Sequence, residues 1–545
     1  MIAIPSSYQG KKTQESLSFI IDYDQWDDWV PDPVYLADIK QNVSALLTKV
    51  ETLRKTGSLS LKNTYILDVF SNNQIKLRTA ALPLVERVVI MSIIASNADV
   101  VQNRLAADRV HGFQYHPSSR SGTYEWSADL FGLAYPVPKG ADGDVYEPMK
   151  PVTQTSTPPL FSALGDGLYE ALNAAAQWLV HKTGGVRSVA WRDVESFYPS
   201  IRRPLLWSTL REYGFSQDGA QFLEEVSQFL GAANEFGISP VDDSWGFLAN
   251  VYLSPVDRAL SHNGRTFQRC ADEYFLMAGG AKDRAVAEQF LISELAKLKL
   301  TLSPAKRADI ELNEGKFVSG AQFSLFANGF WMTILVKGTD QGYTLSPNIS
   351  IETWHGMLRR VLAVNTANRL HNETRTLVRS VNYARERDVL IPPDTEHGLG
   401  ERARRYRQAL GSPPGLEILL QQRLEESAKA GHTWALHWLL TLLSDIGPKG
   451  MVAFDVVARL ADASQVDVVL RAQASLTLAK IADFSKAKPV IDGIKPTGLP
   501  LADRINMVAL YFAEMRWGGN WLQRAQGWGD PSLFSYLAKN KGGKK

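Results

Sequence analysis

Apolar positions along the chain change period several times, and each change marks an element. From Val34 to about Lys55 they recur at helical spacing and give an amphipathic run. After Pro83, within residues 76–110 (KLRTAALPLVERVVIMSIIASNADVVQNRLAADRV), the same spacing predicts a long helix. Residues 111–160 lose the period among many Ser, Gly and Pro and predict a loop. Helical spacing returns from Phe161 to about Lys182 and stops at Gly184-Gly185, a C-cap pair. VRSVAW then reads as a buried strand that runs into Asp193.

After Pro204 the pattern is helical to about Leu230. The loop NEFGISPVDDSWG follows, then FLANVYLSPVDRAL, a helix with a proline early in its course. RTFQRCADEYFLMA alternates on both sides of Asp272-Glu273 and predicts a hairpin. DRAVAEQFLISELAKLKL is an amphipathic helix, followed by TLSPAKRADIELN and a strand pair within 316–345. This order implies an α+β domain around an antiparallel sheet. Beyond about 350 the pattern is almost wholly helical. Residues 451–483 resemble two stacked antiparallel helices of the HEAT type, without a clean repeat period.

Composition narrows the class. A chain of 545 residues has room for two to four domains. With 45% apolar and 21% charged residues it has the make-up of a folded soluble protein. The start, MIAIPSSYQGKKTQ, lacks a basic region followed by an apolar run, so export is not expected. ALPLVERVVIMSIIAS is interrupted by charge well short of the roughly 20 apolar residues a bilayer needs. One cysteine, Cys270, excludes an internal disulfide and any multi-cysteine zinc site. The expectation is a cytoplasmic protein without membrane attachment.

The net charge of +2 says little, because nucleic-acid binders concentrate their basic residues on one face. Eleven arginines and no lysine fall between Trp354 and Leu410, including Arg402, Arg404, Arg405 and Arg407. Such usage suits forked recognition of phosphate or carboxylate. It suits equally a solvated helical face paired with Glu373, Glu386 and Glu401.

Asp193 ends one strand, and Asp272-Glu273 stand at the turn of a later hairpin. Either site alone reads as a capping or turn carboxylate. Together, on neighbouring strands, they are what two-metal phosphoryl transfer needs: carboxylate oxygens holding two Mg²⁺ about 3.5–4 Å apart.

These residues resemble a family. DVESFYPSI looks like the first palm motif of reverse transcriptases, and CADEYF like their Tyr-x-Asp-Asp hairpin. GISPVDDSWGFLANVYLSPVDRAL resembles the intervening motif, LTLSPAKRAD the one that follows, and KLRTAALPLVERVV the fingers segment. The likeness runs in order from about Lys76 to about Ser346. FYPSI, the PVDDS element and a helical C-terminal region in place of a thumb resemble the bacterial defence-associated (abortive-infection, AbiK-like) reverse transcriptases. The implied architecture is an N-terminal extension (1–75), right-hand polymerase fingers and palm (76–346), and an all-α HEAT-like repeat domain (347–545).

The resemblance implies roles. Asp193, Asp272 and Glu273 would hold Mg²⁺, or Mn²⁺, with the backbone carbonyl of Val194 helping. Tyr198 would lie under the sugar of the incoming dNTP and reject a 2′-hydroxyl. Lys76 and Arg78 would grip the triphosphate, and Lys306 would protonate departing pyrophosphate. A DNA product, a homo-oligomer and a noncoding RNA template, a protein primer or no template at all would follow, in defence against phage. The departures are Glu273 for the usual second aspartate, Cys270 for the usual tyrosine, and Val241 for the usual glycine, with bulky Trp245 nearby. A filled template position suits untemplated or narrowly templated synthesis. Two alternatives stand beside this one: a retroelement reverse transcriptase, and a catalytically weak palm that binds nucleic acid or scaffolds assembly.

Overall fold

The computed structural model describes residues 1–10, 12–22, 30, 32–34, 36–71, 74–107, 113–117, 124–128, 188–231, 235–270, 272–313, 316–317, 335–337, 343–345, 416–446 and 454–542. The expected loop at 111–160 falls mostly outside these residues. The helix expected at 161–182 and the arginine-rich stretch 354–410 lie wholly outside them. The described part is a mixed α+β structure, mostly helical.

The chain forms two compact units. The first comprises Met1–Ile20, Glu51–Leu59 and Arg87–Tyr343; the second comprises Ile21–Val50, Ser60–Glu86 and Thr344–Lys545. Residues 1–86 therefore contribute to both.

The first unit is built on a five-stranded sheet. Its strands are β1 (Ser188–Val194), β2 (Thr266–Cys270), β3 (Glu273–Ala278), β4 (Leu302–Asn313) and β5 (Lys316–Phe317), in the order β5-β4-β1-β3-β2. All four pairings are antiparallel. β2 and β3 form the hairpin expected around Asp272-Glu273. Helices α1 (Arg203–Glu212), α2 (Gln217–Leu230), α3 (Asp243–His262) and α4 (Ala281–Lys297) accompany the sheet. α3 packs on β2, and α4 packs on β1 and β3. The predicted helix after Pro83 spans Leu84–Ala107, and its residues Val88–Met91 are all fully buried.

Two elements differ from the sequence reading. The single helix expected from Pro204 to Leu230 is two helices, because the chain turns at Gly214. That residue has φ +90°, and a Cβ there would sit 2.8 Å from Val100 Cγ1. Only glycine meets both demands. Arg104 Nη1 caps the broken end by donating to the Glu212 carbonyl at 2.6 Å. The second difference is Pro255, which lies deep inside α3 instead of early in it. Proline cannot donate to the carbonyl four residues back. Ser254 Oγ supplies the missing bond, donating to Val251 O at 2.7 Å, so the helix continues.

In the second unit, helices α5 (Leu416–Ala430), α6 (Thr433–Ile446), α7 (Phe454–Asp462), α8 (Val468–Ile481), α9 (Phe484–Gly493), α10 (Pro500–Trp517) and α11 (Pro531–Gly542) carry most of the core. α8 is buried along almost its whole length and packs against α6, α7 and α10. A helix covered all round needs no amphipathic stripe. Arg504, on α10, ties the early chain into this unit. Its Nε donates to Asp32 at 2.8 Å and its Nη2 to Asp38 at 2.8 Å, and it also contacts Asp530. Among the described residues no helix is long and apolar enough to cross a membrane.

Candidate functional site

β1 enters the site as a buried strand, and Asp193 is its penultimate residue, only 3% exposed. Register places Asp193 directly opposite Glu273 on β3. One step on, the Val194 N–H donates to the Asp272 carbonyl at 3.1 Å. The 194–272 step thus carries the ladder bond, and the 193–273 step is a non-hydrogen-bonded pair. In such pairs Cα atoms approach to about 4.5 Å and side chains come closest. Two carboxylates therefore stand face to face at the tightest spacing a sheet offers, where like charges destabilise. Asp272, at the hairpin turn, adds a third.

Beyond Val194 the chain leaves the sheet. The Glu195 N–H donates to Thr301 O at 2.8 Å, and Ser196 takes left-handed φ 46°. Phe197–Ser200 then makes one helical turn. Phe197 is buried and Tyr198 half-buried, with ring centroids 5.6 Å apart. The loop before α3 holds this turn: Ile238 N–H donates to Tyr198 O at 3.1 Å and Gly237 N–H to Ile201 O at 2.8 Å. Gly237 has φ +83°, and its Cβ position lies 3.5 Å from the Pro199 carbonyl oxygen, so glycine suits this approach. Arg203 Nη1 secures the same loop through the carbonyls of Phe236 and Gly237.

Two networks absent from the sequence expectations, one part-buried and one fully buried, stiffen the strands. Arg192, beside Asp193, donates to Glu288 on α4 at 2.8 and 2.6 Å and to Asp309 on β4 at 2.7 Å. Its hydrogen bonds hold Glu288 below the usual carboxylate range. Arg269 on β2 donates to Asp257 on α3 at 2.9–3.0 Å through Nε, and to Asn250 at 2.5 Å. Tyr274 Oη donates to the same Asp257 at 3.0 Å. Burial raises the Asp257 pKa, and the Arg269 charge opposes that rise. Arg192 adjoins Asp193 in sequence, whereas Arg269 stands three residues before Asp272. That proximity was the available signal.

Asp193, Val194, Asp272 and Glu273 thus adjoin across two paired strands of the first unit, and Tyr198 lies on the helical turn that follows β1. Lys306 lies on β4, in the register shift between Leu302↔Val194 and Arg307↔Arg192, and its side chain is outside the described residues. Lys76 and Arg78 belong to the second unit, on the strand Gln74–Ala81. The Lys76 side chain is also outside the described residues. Arg78 sits opposite Asp68 and donates to both its oxygens, at 2.7 and 2.9 Å. In the intervening motif, Val241 is buried and Trp245 is fully inside the core. Asp242 caps α3, accepting from Ser244 N at 3.0 Å.

Among the described residues no three His, Cys, Asp or Glu side chains form a ready-made cage. Mg²⁺ seldom uses one; it takes one or two carboxylates and completes its shell with water and substrate phosphate. The opposed Asp193–Glu273 pair offers two such carboxylates.

No known family and no curated protein matches the sequence. Among solved structures, a telomerase from Candida albicans in complex with a TWJ fragment of telomeric RNA is similar at 10% identity and a TM-score of 0.23. The alignment covers 67% of this chain and 53% of that one, so this chain spans about half the length of the chain it matches.

Proposed function

We propose that this chain is a reverse-transcriptase-type nucleotidyltransferase that adds deoxynucleotides to a growing DNA end, in the service of defence against phage. The observation that carries this reading is the opposed pair Asp193–Glu273 with Asp272 at the adjoining turn. Asp193, Asp272 and Glu273 would hold Mg²⁺ or Mn²⁺, with the Val194 carbonyl beside them. Bound metal would supply a more acidic 3′-hydroxyl and charge neutralisation at the leaving pyrophosphate.

The chain's own residues do the positioning. Tyr198, whose backbone carbonyl accepts from the Ile238 N–H, would lie under the sugar of the incoming nucleotide. Its bulk excludes a 2′-hydroxyl. Arg78, which the resemblance alone assigns to the triphosphate, is paired through its planar fork with both oxygens of Asp68. Lys76 adds a point charge, and Lys306 gives a proton to pyrophosphate. Arg192 and Arg269 fix the two strands, so the carboxylates need no reorganisation when substrate arrives. A homo-oligomer, and a noncoding RNA or protein hydroxyl as template or primer, complete the reading.

The test is incorporation of labelled dNTPs by purified protein with Mg²⁺ or Mn²⁺, and sequencing of any nucleic acid it carries. Asp193→Asn and Asp272→Asn should each lower incorporation by about a thousandfold, as several kcal/mol of transition-state stabilisation is lost. Full incorporation by either variant overturns the proposal. Phage plating with the parent and with Asp193→Asn tests the defence role: equal plating removes it. A second reading, a palm that binds nucleic acid without turnover, draws on the lack of a ready-made metal cage among the described residues. It requires that the parent itself incorporate nothing.

A further inference from the structure

The C-terminal end of α10 opens onto a groove of about 550 Å³, lined by Phe484, Asp492, Trp517, Trp521 and Arg524 around the turn Gly518–Asn520. All of it lies in the second unit. Three aromatic residues line it. Phe484 is 43% exposed. It meets Trp517 edge-on, with centroids 5.5 Å apart. Trp521 is fixed by its Nε1–H, which donates to Gly518 O at 2.9 Å. Gly518 and Gly519 take φ 75° and 94°, and a Cβ on Gly519 would lie 3.1 Å from Trp521 Nε1. Glycine keeps this turn clear of side chains.

One arginine, Arg524, and one carboxylate, Asp492, line the groove, and a second arginine, Arg516, stands behind Trp517. Arg524 donates to the carbonyls of Ile491, Asp492 and Ile494 at 2.8–3.1 Å, which fixes the guanidinium without cancelling its charge. It lies 5.8 Å from the Trp521 ring centre. Arg516 donates to the carbonyls of Ala479 and Ala482 and lies 5.2 Å from the Trp517 ring centre. The lining carboxylate, Asp492, is already paired with Lys488 at 2.5 Å.

Aromatic faces beside fixed arginines match one chemistry, that of bases stacked on rings while phosphates meet cations. A proline-rich peptide also fills aromatic grooves, but it brings no anion for Arg524 to meet. The geometry points to a single-stranded nucleic acid as the occupant, with bases against Phe484, Trp517 and Trp521 and a phosphate at Arg524. This is a site distinct in the chain from the paired carboxylates, and it does not depend on their catalytic role.

The test uses the full-length chain and a fluorescent oligothymidylate of about 12 nucleotides, within the usual range of single-strand sites. A parallel photocrosslink with iodouracil-substituted oligonucleotide maps the contact. In the parent, adducts should fall on peptides containing Trp517 or Trp521. The pair Phe484→Ala and Trp521→Ala should lose these adducts and weaken binding by roughly tenfold or more. Phe484→Tyr and Trp521→Phe should keep both, which separates stacking from a folding defect. Arg524→Gln should lower the slope of log affinity against log salt by about one. The adduct should persist in Asp193→Asn, whatever becomes of incorporation. No adduct within residues 484–524 of the parent overturns the inference. So does tighter binding of a polyproline peptide than of the oligonucleotide, lost in the same variants, which would assign the groove to a protein partner.

Discussion

Asp193 and Glu273 face each other across two neighbouring strands, one residue from the step where the Val194 N–H meets the Asp272 carbonyl at 3.1 Å. Had the register slipped by one residue, Asp193 would oppose Asp272 and Glu273 would turn to the other face of the sheet. The longer acid, Glu273, therefore takes the cross-strand position and the shorter one, Asp272, the turn. This division shapes the first prediction.

Glu273→Gln should stabilise the metal-free protein by about 0.5 kcal/mol, because a like-charge cross-strand pair becomes a charge–dipole pair. The same change should impair incorporation and shrink the stabilisation by Mg²⁺, while Glu273→Asp keeps or improves activity. Denaturation midpoints in EDTA and in Mg²⁺ read both effects. Identical behaviour of parent, Gln and Asp variants would make Glu273 a plain turn-side residue.

Tyr198 is half-buried on a one-turn helix held by Ile238. Tyr198→Ala or Tyr198→Val should let ribonucleotides be incorporated beside deoxynucleotides, with little loss of stability. Competition between labelled rNTP and dNTP measures it. An unchanged preference would place the sugar gate elsewhere.

Arg269→Met should cost about 3–5 kcal/mol, since Asp257 would be left as an uncompensated buried charge. Arg269→Lys should rescue little, because one ammonium cannot replace the Nε and Nη2 contacts to Asp257 and Asn250 together. Urea midpoints decide. A loss below about 1 kcal/mol for Arg269→Met would show that this network contributes little.

His437 is fully buried on α6, with Nε2 3.3 Å from the Tyr65 hydroxyl and Asp467 as the neighbouring charge. Burial lowers its pKa to about 4, and Asp467 partly opposes this. The unfolded chain, with an ordinary pKa near 6.5, then binds more protons than the folded one between those values. Stability is fully present above about pH 6.5 and falls by roughly 1.4 kcal/mol per unit down to about pH 4. His437→Gln should flatten this slope in urea titrations at pH 7 and pH 5. An unchanged slope would assign the acid sensitivity to other groups.

Much of the local structure was legible in the sequence. Alternation on either side of Asp272-Glu273 announced the β2–β3 hairpin, and helical spacing after Pro83 announced the helix Leu84–Ala107. Amphipathic spacing likewise announced α4. Side-chain period depends only on backbone geometry, so it survives in the bare sequence.

What the tertiary structure decided rests on contacts between distant residues, which leave no periodic trace. The turn at Gly214 admits only glycine because Val100 and Arg104 crowd its Cβ position, a fact invisible from its neighbours in sequence. Arg78 pairs with Asp68 only because the hairpin register sets them opposite. Arg504 finds Asp32 and Asp38 across hundreds of residues, and the early chain is divided between two units. The acids at 193, 272 and 273 were present in the sequence as residues. Their arrangement as one opposed pair and one turn residue came from strand order and register, which long-range pairing alone determines.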